Sequence, residues 1–123
     1  MRNWFWRYRV LLALLALLPS YMAWQIAELR WGIPAQARAD AIHNFQKGIY
    51  VIQHHGLSSG PRFEYKRLLR EKYKVIDLGA PCMMYLPDAI YEDNYNEQLR
   101  ALLIKRYGKD IFEECYEAAK GHL

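Results

Sequence analysis

Apolar residues fall into three rhythms along this chain, and each predicts a different kind of element. From Val10 to Ala27 they run without a break, V-L-L-A-L-L-A-L-L-P-S-Y-M-A-W-Q-I-A, eighteen positions with no charge. From Tyr91 to Tyr107 they recur every three to four residues, as Tyr91, Tyr95, Leu99, Leu102, Leu103 and Tyr107. Between these stretches lie short β-branched and aromatic runs, Ile49-Tyr50-Val51-Ile52 and Lys74-Val75-Ile76-Asp77-Leu78 among them, set between glycines and prolines. The unbroken run predicts an element that is apolar all round. The helical repeat predicts a helix with one buried face, and the short runs predict buried strands.

The first run has the length of a membrane span. At about 1.5 Å per residue an eighteen-residue helix reaches roughly 27 Å, against roughly 30 Å for the hydrocarbon core of a bilayer. Arg2, Arg7 and Arg9 precede it, interleaved with Trp4, Phe5, Trp6 and Tyr8, and Trp24, Arg30 and Trp31 stand at its far end. Indole rings and long cationic side chains settle at headgroup depth. The anchor is therefore assigned to residues 10–27, with Val10, Leu11, Leu12, Leu14, Leu15, Leu17, Leu18, Pro19 and Trp24 facing lipid. Pro19 removes a backbone donor and predicts a kink, with Ser20 beside it to satisfy the freed group. No small-xxx-small pattern of glycines marks a dimer face. The excess of cations before the run favours a cytoplasmic N-terminus and an extracytoplasmic C-terminal domain, periplasmic in a bacterium.

The competing assignment is a cleaved signal peptide, which would make the remainder a secreted soluble domain. Ala35-Gln36-Ala37 and Ala37-Arg38-Ala39 have the small-residue pattern, but they lie eight or more residues past the apolar run. Tyr21-Met22-Ala23, nearer to it, has a large side chain where a small one is wanted. A retained anchor is the better reading. A helix buried in a soluble domain is the worst, because a domain of this size has little core in which to hide such a stretch.

Residues 1–33 are thus read as cytoplasmic flank and transmembrane anchor, and residues 34–123 as one small soluble α+β domain. Pro34 is expected to break the chain, with a short helix following over Ala35 to Lys47 and ending at Gly48. A strand over Ile49 to Ile52 leads to a polar loop, Gln53 to Gly60. Pro61 then suits the first turn of a helix whose inward face is Tyr65, Leu68, Leu69 and Tyr73. Strands at Lys74–Leu78 and Cys82–Leu86, joined by Gly79-Ala80-Pro81, are expected to form an antiparallel hairpin. Asn94 is expected to cap the helix that carries the Tyr91–Tyr107 repeat, and Gly108 to end it in the left-handed conformation. Asp110 opens a last helix with a capping-box spacing to Glu113 and the inward set Ile111, Phe112, Cys115, Tyr116 and Ala119. The architecture expected is an anchor helix, a short sheet of two or three strands and a C-terminal helical hairpin.

Charge narrows the partners. Setting Arg2, Arg7, Arg9 and Arg30 aside from the seventeen basic residues, and Glu28 from the thirteen acidic ones, leaves a nearly neutral domain. A nucleic-acid partner calls for a basic stripe on the folded domain, so none is assigned. Candidate chemistry is sparse. His54 and His55 lie in a glycine-bearing loop, but adjacent histidines point apart, and a metal site needs three or four convergent ligands. No metal and no other cofactor is assigned. Gly56 to Arg62 runs into a helix start, where backbone donors and the Arg62 guanidinium suit an anion, yet the G-K-[ST] ending of a phosphate loop is missing. No G-x-S-x-G elbow accompanies Ser58 and Ser59, and Glu92-Asp93 has no partner arrangement for acid–base work. Cys82, at the start of a proposed strand, and Cys115, on the inward stripe of the last helix, are placed to meet across the core, as a disulfide in an oxidising compartment or as two buried free thiols. Tyr85, Tyr91 and Tyr95, beside Met83 and Met84, suit core packing better than an interface.

With no catalytic constellation, the reading favoured is a non-enzymatic, single-pass membrane protein whose domain binds a protein partner in an accessory or inhibitory role. The alternative is a small ligand-, anion- or metal-binding or catalytic domain using the His54–Arg62 loop.

Overall fold

The computed structural model describes residues 2–55, 62–80 and 85–121. Helix α1 spans Arg2–Ala27, a π-helical turn Glu28–Gly32 follows, and α2 spans Ile33–Gln46. Then come β1 (Val51–His55), α3 (Arg62–Tyr73), β2 (Ile76–Ala80), α4 (Leu86–Tyr107) and α5 (Ile111–Lys120). The chain is mostly helical around one small sheet. α1 is long and apolar enough to cross a membrane or to act as a signal sequence, and none of its apolar window is buried.

Pro34 does not break the chain. It sits in the first turn of α2, where the missing donor is harmless. The path from α1 to α2 therefore stays helical from Arg2 to Gln46. The junction is the π turn, closed by a bond from the Ile33 N–H to the Glu28 carbonyl, five residues apart. The Glu28 carboxyl group folds over Gly32, where a Cβ would lie 2.6 Å from it. Inside α1, the Ser20 hydroxyl donates to the Ala16 carbonyl at 3.0 Å rather than to the Leu15 carbonyl that Pro19 leaves without its helical donor.

The sheet differs from expectation in both partner and direction. β1 and β2 pair in parallel, Val51 opposite Ile76 and His55 opposite Ala80, with α3 as the crossover. Of the third strand expected at Cys82–Leu86, Tyr85 and Leu86 instead cap and open α4, and residues 82–84 lie outside the described residues. A helix fills the connection because parallel strands cannot be joined by a tight turn. The strand expected at Ile49–Ile52 is real but begins two residues later. α3 ends at Tyr73, where the sequence pattern ends it, and Lys74 beyond it adopts the left-handed conformation, at φ 57°.

α4 begins at Leu86, with Tyr85 at its cap position, so Asn94 is no cap. It lies mid-helix, and its amide donates back to the Ile90 carbonyl at 2.8 Å. The two C-terminal signals hold. Gly108 takes φ 69°, its N–H bonded to the Ile104 carbonyl, and the Asp110 carboxylate accepts from the Phe112 and Glu113 amides at 3.0 and 3.1 Å. α4 and α5 follow one another across the short link Gly108–Asp110, but their main partners lie elsewhere. α2 runs along α4 and α3 along α5, while β1 meets α4 and β2 meets α3.

One core holds these pieces together. Ala41, Ile52, Leu69, Val75, Leu99, Leu103, Ile111 and Phe112 are buried, joined by Tyr50, Tyr73 and Cys115. Phe45, Tyr65, Leu68 and Tyr95 pack on its margin. Arg106 closes one end, its guanidinium within 6 Å of the Phe45, Tyr50 and Tyr107 rings and donating to the Tyr50 hydroxyl.

Candidate functional site

Three hydrogen bonds tie α2 to α4. The Tyr91 hydroxyl donates to Asp40 Oδ2 at 2.6 Å, Asn44 Nδ2 donates to the Tyr95 hydroxyl at 2.8 Å, and Arg38 Nη2 donates to Asn94 Oδ1 at 3.1 Å. A residue every turn or so of α4 thus meets a polar group on α2. The Tyr91 and Tyr95 rings stack in consequence, 6.1 Å apart and 18° from parallel. Next to Tyr95, the Asn96 amide imitates a strand: its Nδ2 donates to the Gln53 carbonyl at 2.8 Å, and its Oδ1 accepts from the Gln53 N–H at 3.3 Å. That closes this stretch of the β1 edge facing away from β2.

Beside these contacts lies a pocket of about 290 Å³ between α4 and β1. Ile49, Val51 and Gln53 line the strand side, Tyr91, Glu92 and Tyr95 the helix side, and Asn44 one end. Glu92 is 5% exposed and belongs to the buried interior. The Tyr91 phenol is pushed up to about 12, by burial first and then by its bond to Asp40.

A second polar cluster sits where α3, α4 and α5 meet. Glu114 accepts from the Tyr73 hydroxyl at 3.0 Å and pairs with Lys109 Nζ at 2.5 Å, with Lys72 Nζ at 3.9 Å. Lys109 and Tyr73 hold its carboxyl below the usual glutamate range, and Glu114 in turn raises the Lys109 ammonium. On the sheet, the buried Asp77 pairs with Lys66 of α3 at 3.7 Å. Nearby, burial and then the Asp77 charge push the Tyr65 phenol up to about 12. These groups brace elements against one another, and none faces the cavity.

The residues singled out from the sequence fall elsewhere. His54 and His55 end β1, and Arg62 opens α3. The loop 56–61 that joins them lies outside the described residues. Among the described residues no three His, Cys, Asp or Glu side chains gather as a metal site. Cys115 is a buried free thiol whose pKa burial raises, and Cys82 lies outside the described residues. Tyr91 and Tyr95 pack toward α2, whereas Tyr85 is 82% exposed. What sequence reasoning missed at Glu92, weighed only with Asp93 for acid–base work, is its burial. The signal for it was present: Glu92 precedes Leu99 and Leu103 by seven and eleven residues, which places it on the same helical stripe.

Comparison with protein-family models, with characterised proteins and with solved structures gives no match for this chain.

Proposed function

We propose that this chain is a single-pass membrane protein of non-enzymatic type. Its N-terminus is cytoplasmic, and its small domain binds a protein partner on the extracytoplasmic face, as an accessory or inhibitory subunit. The observation that carries the anchor is that α1 is exposed around its whole circumference, Leu11, Leu12, Leu14, Leu15, Leu17 and Leu18 alike. An element that no part of the domain covers needs a bilayer to cover it. The helical path into α2 supports retention over cleavage. Ala37, shared by both A-x-A triplets, is fully buried in α2, so cutting there would remove the start of a core helix. A partner face is supported by Phe63, 80% exposed at the start of α3, and by Tyr85 and Leu86 at the start of α4. Both positions lie just beyond the segments that follow the two strands.

The test is a reporter active on one side of the membrane, fused after Leu123, with the membrane fraction sized. Full length, membrane retention and an outer-side reporter are expected. A shortened, released product would replace this reading with a secreted domain, and an inner-side reporter would reverse the orientation.

A second reading is favoured by one observation. The β1–α3–β2 unit is parallel, and ligands of parallel α/β units gather at the carboxyl ends of the strands. His54, His55 and Arg62 belong to that end. Alanine at these three positions separates the readings: a phenotype lost with the fold intact assigns a ligand site there, and a phenotype retained assigns partner binding.

A further inference from the structure

We infer that the turns of α1 just before the apolar run carry two grooves for anionic phospholipid, one on each side of the helix. The inference rests on the reading of α1 as a membrane anchor and not on which side of the membrane the domain occupies.

The first 27 residues hold Arg2, Arg7 and Arg9 and no Asp or Glu. Among the described residues neither Arg7 nor Arg9 makes an ion pair. The nearest acid along the helix is Glu28, which lies roughly 28 Å beyond Arg9 at about 1.5 Å per residue. Salt screens an attraction over that distance. The charge of both guanidinium groups is therefore left for something outside the chain to meet. Arg7 and Arg9 stand about 200° apart around a helix of 3.6 residues per turn, so they cannot share one phosphate. Two sites follow rather than one.

Each arginine lies in its own groove. Trp4, Phe5, Tyr8, Arg9 and Leu12 line the first, and Trp6, Arg7, Val10 and Leu11 the second. Both run from rings, past a guanidinium, to the aliphatic side chains that open the apolar run. Side chains on a helix lean toward its N-terminus, which carries each guanidinium out to the level of the rings, at head-group depth. Leu12 in one groove, and Val10 and Leu11 in the other, are left to meet an acyl chain. Indole N–H and guanidinium groups can only donate, whereas phosphate and ester oxygens accept. The planar guanidinium suits a phosphate through two parallel hydrogen bonds. Rings alone, such as Trp4 and Tyr8 at 5.2 Å, would equally attract the quaternary ammonium of a choline head group. The guanidinium beside them repels that cation and selects a head group with net negative charge.

The experiment places the full chain in nanodiscs of phosphatidylcholine alone and of equal phosphatidylcholine and phosphatidylglycerol. Native mass spectrometry then counts the lipids that stay with the chain. Insertion into the phosphatidylcholine discs tests the anchor, and a chain that stays out overturns both readings. From the mixed discs up to two phosphatidylglycerols per chain are expected. Each site should favour them about fivefold, the preference that one basic residue near an anionic surface confers. Arg7→Gln and Arg9→Gln should each leave one retained, and the double variant should show no preference. Arg2→Gln is the control, because it removes the same charge roughly 7.5 Å further out than Arg7 and should leave both lipids bound. All three arginines precede every core residue, so these variants leave the domain folded. With the anchor intact, the inference is overturned if the parent chain keeps the two lipids equally or prefers phosphatidylcholine. It is also overturned if the double variant keeps the preference, or if Arg2→Gln weakens it as much as Arg9→Gln does, which would mark diffuse surface charge.

Discussion

Glu114 collects a tyrosine hydroxyl and an ammonium group from α3 and a second ammonium group from the α4–α5 link, and the sign of its effect on stability follows from its lowered pKa. The carboxylate is favoured in the folded state. Its contribution is therefore complete above the ordinary glutamate value of 4.5 and disappears as the pH falls through the lower folded value. Glu114→Gln should lower the melting temperature near pH 7. The gap from the parent protein should close as melts are repeated toward pH 3, and a gap that persisted there would assign the effect to packing instead. Tyr65 and Tyr91 behave in the opposite sense. Their raised values mean that stability is intact below the ordinary value of 10.0 and is lost as the pH climbs toward about 12. These residues show why polar side chains at inward positions cannot be dismissed as solvated. Tyr91 and Glu92 sit on a helix whose next turns carry the fully buried Leu99 and Leu103.

At the scale of elements, α4 organises the domain, because it touches α2, β1 and α5. Leu99 is fully buried within it, so Leu99→Ala should destabilise the fold by about 2–5 kcal/mol in chemical denaturation, at an unchanged slope. The break between α4 and α5 rests on Gly108. A Cβ there would meet nothing within 4 Å, so the effect of Gly108→Ala comes from its φ of 69° alone. A loss of about 1–2 kcal/mol is expected. A neutral result would show that the link relaxes to another turn. Capping signals at Gly108 and Asp110 were legible because they act within four residues. The strand pairing was not, since nothing local to Val51–His55 or Ile76–Ala80 specifies which strand lies beside it. The short spacing from β2 to the Cys82–Leu86 run also suggested a hairpin, whereas β2 pairs with β1 across α3.

For the whole molecule, the helical path from Arg2 to Gln46 joins an apolar rod to a packed core without an intervening loop. Two truncations test where one role gives way to the other. A chain starting at Glu28 should remain folded and soluble, because every core residue lies beyond it. A chain starting at Arg38 loses Ala37 and the first turn of α2, and should melt at a lower temperature or fail to fold. Equal stability of the two would mean that α2 contributes to the core only through Ala41 and the residues after it.

What the sequence determined by itself is whatever depends on neighbours along the chain. This covers the apolar rod of α1, the helical stripe of α4, the left-handed stop at Gly108 and the cap at Asp110. It also covers the near-neutral charge of the domain. Each follows from local sterics, local hydrogen bonding or the local run of hydropathy. The tertiary structure decided what depends on residues far apart in sequence. β1 chose β2 as a parallel partner across α3, and α5 settled along α3 as well as following α4. Glu92 was drawn into the interior beside Tyr91, Tyr95 and the edge of β1. Those outcomes turn on which apolar faces cover one another, a global competition that no single stretch of the chain records.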